Sequence, residues 1–234
     1  MEKAVRRHIR ETLCTSQKTK TMDNLNKLFE KVKINSEKNY DQISVQYNTP
    51  YSIPGLNTLR EEICTCLTLN LFQAAITLTN HLFENGLKTL LILSDFYKNK
   101  KQDSDIIDEM DELLDKFDRL NLFDTITKAF QHKIISGPEK KQLLEFKNKY
   151  RNPFSHANKR DIYGEEKSIV EEFKFGNNGI YIERQEHLKF NLLPFQDIFQ
   201  FDKAKEESFE YFICIDKIIR ESYVRIIKRK KASA

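Results

Sequence analysis

Two side chains with complementary chemistry stand five residues apart in the segment Lys147-Asn148-Lys149-Tyr150-Arg151-Asn152-Pro153-Phe154-Ser155-His156-Ala157-Asn158: they are Arg151 and His156. An arginine is a permanent forked cation that matches phosphate oxygens. A histidine gains or loses a proton near neutrality. On RNA these two suffice for phosphodiester transesterification, because the strand brings its own nucleophile, the ribose 2′-hydroxyl, and no metal is needed. In an unbroken helix, residues five apart point about 140° away from each other. Pro153, with Asn152 as an N-cap, permits a kink that can bring both side chains into one cleft. Lys147, Lys149, Lys159 and Arg160 flank the pair and would attract a polyanionic backbone. Tyr150 and Phe154 offer faces for base stacking, although Phe154 reads better as a core aromatic.

Other residues carry weaker signals. Asn80, His81, Glu84 and Asn85 interrupt an apolar helical stretch. They form two pairs spaced four apart, each on one face. They could face the Arg151/His156 cleft, but an exposed stripe or a satisfied core hydrogen bond is the favoured reading. The tail Arg225-Ile226-Ile227-Lys228-Arg229-Lys230-Lys231 reads as a solvated helix end whose cations complement the dipole, with modest attraction for RNA as an addition. His8, His132 and His187 lack a suitably spaced arginine and read as surface residues. Cys64-Thr-Cys66 lacks the spacing and the second ligand pair of a zinc site. With Cys14 and Cys214, these cysteines read as small hydrophobes.

Composition narrows the fold that must hold the segment. Only 6 Gly and 5 Pro occur in 234 residues, little material for tight turns or phosphate-cradling loops, and no GxxxxGK or GxGxxG pattern is present. The N-terminus is charged with no apolar run behind it, so no secretory signal is expected, and the thiols are expected to be reduced in a cytoplasmic setting. No stretch has the apolar length a bilayer requires, and no membrane partner is expected.

Helical periodicity dominates. A short basic helix is expected over the first 20 residues, a second over 22–38, and an irregular connection over 39–54, where Pro50 and Pro54 lie. Residues 55–100 read as helical with one break near 66–69. The second part is apolar nearly all round, so it should be central. An acidic amphipathic helix is expected over 103–120 and a short one over 121–132. Ser136-Gly137-Pro138-Glu139 is a start signal for a helix that ends by Asn152. Glu172–Phe175 and Ile180–Glu183 alternate around Gly176-Asn177-Asn178-Gly179, a β-hairpin pattern with a four-residue loop. Asp202 is the expected N-cap of a last long helix. The expected organisation is an N-terminal helical extension over 1–50, then an all-α bundle over 51–234 with a hairpin and loop insertion over 166–200.

Arg151, Asn152 and His156 conform to the R-x4-6-H signature with a polar residue after the arginine. The segment lies after a late helix, with one more long helix behind it. In both respects the chain resembles the HEPN domains (higher eukaryotes and prokaryotes nucleotide-binding), over roughly 54–231. The resemblance implies a HEPN-type bundle and a metal-independent, cofactor-free endoribonuclease. It also implies a homodimer with a composite active site. His156 would be general base or acid, Arg151 would stabilise the phosphorane, and Asn152 would position the phosphate or hold the histidine. Products would be a 2′,3′-cyclic phosphate and a 5′-hydroxyl. The implied role is a toxin or antiviral (abortive infection) effector acting on single-stranded or tRNA-like RNA. Some toxins of this family carry a tyrosine two residues after the histidine, which an antitoxin modifies. Asn158 stands there instead, so a solitary nuclease, or one governed by another inhibitor or sensor protein, is expected. The alternative is a non-catalytic HEPN-like module for dimerisation or for RNA or protein binding. A basic nucleic-acid-binding regulator is a third reading, but no helix-turn-helix spacing supports it.

The net charge of +4 conceals opposed regions. Residues 101–120 hold eight acidic side chains against three basic, residues 128–160 nine basic against two acidic, and residues 217–231 seven basic against one. The strongest basic region contains Arg151 and His156, where an RNA backbone would need it.

Overall fold

The computed structural model describes residues 2–98, 106–151, 154, 167–176, 179–189 and 196–232, with side chains over 23–98, 107–151, 154 and 200–231. Seven α helices are described: α1 (Glu2–Asn48), α2 (Pro54–Thr68), α3 (Phe72–Lys98), α4 (Ile106–Asp118), α5 (Leu122–Gln131), α6 (Gly137–Phe146) and α7 (Gln196–Ala232). A π-helical turn, Lys147–Arg151, continues α6. Strands β1 (Lys167–Gly176) and β2 (Gly179–Lys189) pair antiparallel, with Phe175 opposite Ile180 and Gly176 opposite Gly179. The class is all-α apart from this ribbon. Among the described residues no helix is long and apolar enough to cross a membrane.

Helix α3 is central. It packs against α2, α4, α5, α7 and the π turn. Ala75, Ile76, Leu82, Phe83, Leu87, Leu90 and Leu91 are all buried. It meets α7 tightly at Gly86, where a Cβ would stand 2.6 Å from Cδ1 of Ile219. A glycine at this crossing lets the two backbones draw together, at some loss of helix propensity.

Helix α1 joins the two helices expected over 1–20 and 22–38 into one and runs ten residues further, so the connection expected over 39–54 shrinks to 49–53. The cause is tertiary. Ile43 is fully buried, and Asn39, one turn earlier, donates to the carbonyls of Leu67 (3.0 Å) and Thr68 (3.3 Å) and to Oδ1 of Asn70 (2.7 Å). These contacts keep α1 wound until its last carbonyls meet Arg60 and the chain beyond them meets Arg220. Arg60, only 2% exposed, donates to the carbonyls of Gln46 (2.5 Å) and Tyr47 (2.8 Å). Arg220 donates to the carbonyls of Thr49 and Pro50, holds Asp216 at 2.7 Å and lies 4.5 Å from the ring centre of Tyr51.

The ends of α2 and α5 close alike. Leu71 N–H bonds Cys66 O (2.8 Å) with Asn70 at φ 62°, and Ile134 N–H bonds Ala129 O (2.8 Å) with Lys133 at φ 55°. Both are Schellman closures in which a residue other than glycine takes the left-handed position. Asparagine visits that region readily, whereas lysine gives up about 1–2 kcal/mol there.

Helix α7 begins at Gln196, so Asp202 lies inside it rather than capping it. The apolar face already runs through this point. The Phe201 ring lies 5.9 Å from Phe72, and Ala204 is fully buried. Asp202 points outward from that face and is exposed.

Replacing Arg60 with leucine removes charged donors from two partly buried carbonyls at the end of α1. The expected cost is about 2–3 kcal/mol. Chemical denaturation should show a lower midpoint, with amides in the last turns of α1 losing exchange protection first. An unchanged midpoint would remove this capping role.

Candidate functional site

Helix α6 starts with the capping box that its sequence announces. Ser136 Oγ accepts from Glu139 N–H (3.4 Å), and the Glu139 carboxylate accepts from Ser136 N–H (2.6 Å). At its other end the helix widens into the π turn. Insertions of this kind are uncommon and gather at functional sites. Here the widened turn places Tyr150 inward and Arg151 at the edge. Tyr150 is 4% exposed and stacks on Tyr211, with ring centres 4.2 Å apart at 27°. Phe146 packs edge-on against Tyr211 at 5.1 Å. Asn80, buried on α3, accepts from the Tyr211 hydroxyl (2.7 Å) and donates to the Tyr150 carbonyl (3.4 Å). One amide therefore ties α3, α7 and the π turn together.

Arg151 follows directly and is 29% exposed. Its Nη2 lies 3.6 Å from Oε2 of Glu84. The other Glu84 oxygen pairs with Lys88 at 3.2 Å, and Lys88 also donates to the carbonyl of Asp118 (3.0 Å). The polar interruption of α3 is thus divided. Asn80 is a satisfied core hydrogen bond, His81 and Asn85 are exposed, and Glu84 faces Arg151. For Glu84 the less favoured expectation, facing the Arg151 side, is the one the contact fits. Its signal was the four-residue spacing from Asn80, which puts both on the face toward the π turn.

The flanking cations differ in their surroundings. Lys149 Nζ is 2.8 Å from Glu207 Oε1 and 5.1 Å from the centre of the Tyr150 ring. Burial works against its charge, but the bonds to Glu207 and Tyr150 outweigh this and raise its pKa. Lys147 donates to Asn148 Oδ1 (3.2 Å). Phe154 is half-buried against the core. Asn152, His156, Lys159 and Arg160 lie outside the described residues.

In the basic tail Lys228, Lys230 and Lys231 are exposed as expected, whereas the two arginines are tied into the fold. Arg225 makes two bonds to Glu139, at 2.8 and 2.7 Å, and a third to the carbonyl of Ile134 (2.9 Å). Burial opposes the Glu139 charge, yet bonds from Arg225 and Ser136 hold its carboxyl below the ordinary range. Arg229 donates to the carbonyls of His132 (3.1 Å) and Lys133 (2.5 Å), completing the closure of α5. His132, expected on the surface, is 25% exposed and sits 3.0 Å from Asp95 Oδ1. Burial lowers its pKa, against the raising effect of Asp95.

The remaining chemistry-bearing residues are quiet. Cys64 is buried, and burial pushes its thiol up to about 12, so it holds no thiolate at neutral pH. Among the described residues no group of three or more His, Cys, Asp or Glu side chains is placed to hold a metal. No protein-family model, curated protein or solved structure matches the chain.

Burial pushes the Tyr150 phenol from 10.0 up to about 12. The sign follows from linkage: the unfolded chain loses this proton near pH 10, the folded one near 12. Stability from the neutral phenol is therefore complete below pH 10 and is lost as pH rises through about 12. Urea midpoints measured across this window should fall less steeply for Tyr150→Phe, which keeps the stack. Equal slopes for the two proteins would show that Tyr150 carries none of the alkaline sensitivity.

Proposed function

We propose that the chain is an endoribonuclease of HEPN type that cuts RNA by 2′-hydroxyl transesterification. The observation that carries this reading is the π turn. It holds a partly exposed Arg151 at the edge of a buried tyrosine stack, directly before the residues that complete the R-x4-H motif. In this reading His156 removes the proton from the ribose 2′-hydroxyl as the oxygen attacks phosphorus. The bond to the 5′-oxygen breaks, and that oxygen takes up a proton. A 2′,3′-cyclic phosphate and a 5′-hydroxyl result. Arg151 faces the non-bridging oxygens, where charge develops, and a fixed cation there is worth most. Asn152 positions the phosphate or the imidazole. Two chains in a dimer would bring two such motifs to one cleft. The strand ribbon is then an insertion before the last helix of the HEPN bundle, and growth arrest in a toxin or antiviral setting is the biological outcome.

Glu84 fits this scheme as a place-holder. Its carboxylate faces the guanidinium of the free protein and can exchange for a phosphate when RNA arrives. The same contact also favours a second reading, a non-catalytic HEPN-like dimerisation or RNA- or protein-binding module in which Arg151 is a structural cation.

One experiment separates them. RNA is incubated with the purified full chain in EDTA and its ends are mapped. The nuclease reading expects cyclic-phosphate and 5′-hydroxyl ends, at least about 100-fold less cleavage for His156→Ala and Arg151→Ala, and unchanged folding of both variants. No cleavage by the unmodified chain, or equal toxicity of His156→Ala on expression, would leave the binding-module reading.

A further inference from the structure

We propose that the groove at the junction of α5 and α6 is a second site for single-stranded RNA, in which the Phe130 ring carries a base and Lys133 and Lys140 hold the adjoining phosphates. The proposal rests on RNA being the ligand of this protein, as argued for the Arg151 site, and it extends that reading to a surface the motif does not reach.

The groove has a volume of about 510 Å³ and is lined by Phe130, Lys133, Ile135, Ser136, Arg225 and Arg229, among others. That volume falls within the range of small-molecule sites and has room for a nucleotide. Its floor and rim have distinct chemistry. Phe130, at the end of a short helix, is 39% exposed, and the Lys140 ammonium lies over its ring, 4.8 Å from the centre, where a base entering the groove would stack in its place. Arg225 and Arg229 are held in place by Glu139 and by the carbonyls that close α5. Their positions are therefore set before any ligand arrives.

Lys133 adds an independent argument. It occupies the left-handed position of the α5 closure, at φ 55°, where glycine or asparagine would sit without strain. At the matching position of α2 the chain uses Asn70. At α5 it uses a lysine, and the strained residue lines the groove. Strained backbone gathers at sites of function.

An exposed ring between spaced cations favours single-stranded nucleic acid over an acidic peptide. Stacking requires a flat partner, and every base has one, whereas a carboxylate side chain does not. The wider surroundings agree. The described residues 128–151 carry seven basic side chains against two acidic, and residues 217–231 seven against one. The helical run 137–151 leads from the groove to Arg151, a rise of about 20 Å. A short oligonucleotide can span it, so the groove would tether a strand while Arg151 engages the bond to be cut.

The test uses the full chain in a His156→Ala background, so that RNA stays intact, and a fluorescein-labelled oligouridylate read by anisotropy. Phe130→Ala should weaken binding about tenfold, the loss of one stacked base. Lys133→Gly with Lys140→Gln should weaken binding and lower the slope of log affinity against log salt by about 1.4. Lys133→Gly also relieves the left-handed strain, so its melting temperature should rise while its RNA affinity falls, which separates lost contact from lost fold. In the His156 background-free protein, the same changes should slow cleavage of long RNA and leave a dinucleotide substrate untouched. Unchanged anisotropy in both groove variants overturns the proposal, even if the chain cuts RNA. Loss of oligouridylate binding in the variants of a chain that cuts no RNA supports the groove and overturns the nuclease. Polyglutamate binding that matches oligouridylate in affinity, and falls equally in the variants, reassigns the groove to acidic peptides and also overturns it.

Discussion

The hydrogen bond from the Tyr211 hydroxyl to Asn80 Oδ1 is the link on which the geometry around Arg151 depends. It is formed deep in an apolar core, where an unpartnered amide or phenol would cost about 1–3 kcal/mol. Both groups are therefore obliged to meet, and their meeting fixes the angular position of α7 against α3. The same amide reaches the Tyr150 carbonyl, and Tyr150 stacks on Tyr211. The π turn is thus gripped through its backbone and through its ring. Arg151, one residue later, inherits its position from both. A close approach of α3 and α7 is a precondition, and Gly86 beneath Ile219 supplies it.

A chain with so few glycines must end its helices by other means. Side chains from distant elements supply most of them. Asn39 serves the end of α2, Arg60 and Arg220 serve α1, and Arg225 and Arg229 serve the closure of α5. Asn39 and Arg60 supply donors to carbonyls that a helix leaves unpaired at its C-terminus, and Arg220, Arg225 and Arg229 hold the carbonyls just beyond a helix end. These caps are also tertiary contacts, so helix ends and helix packing form together. The arginines that looked like a loose basic tail belong to this system.

This explains what was legible in the sequence and what was not. The start of α6 was readable because Ser136, Pro138 and Glu139 act on one another within a single turn. The central place of α3 was readable from apolar residues spread around its circumference. The length of α1 was not, since Asn39 finds its partners about thirty residues away and the nearby prolines spoke for a loop. The start of α7 was not, since Asp202 has the type of a cap while Phe201 and Ala204 are held by packing that a local pattern cannot contain. Of the site, the sequence showed Arg151 and His156 as a pair by spacing, but gave no means to orient Arg151. That orientation comes from Tyr150, Tyr211 and Asn80, whose separations along the chain reach 131 residues.

Two arginines of nearly equal exposure show how geometry divides their work. Arg225, 30% exposed, makes two bonds of 2.7 and 2.8 Å to Glu139. This parallel, charge-assisted arrangement is the strong form of the pair. Arg151, 29% exposed, approaches Glu84 at 3.6 Å, beyond ordinary hydrogen-bond length. Contacts of that kind near solvent are worth about 1 kcal/mol or less. An RNA phosphodiester, with one negative charge and two non-bridging oxygens, equals a carboxylate in charge, and would compete far better with the longer Glu84 contact than with the bidentate Glu139 pair. Glu84 also shares its charge with Lys88, which weakens its hold further. The two contacts thus differ in kind: Arg225 is locked to Glu139 at its tip, whereas Arg151 is placed through its backbone neighbour Tyr150, gripped by Asn80 and Tyr211, and meets Glu84 only at the longer distance.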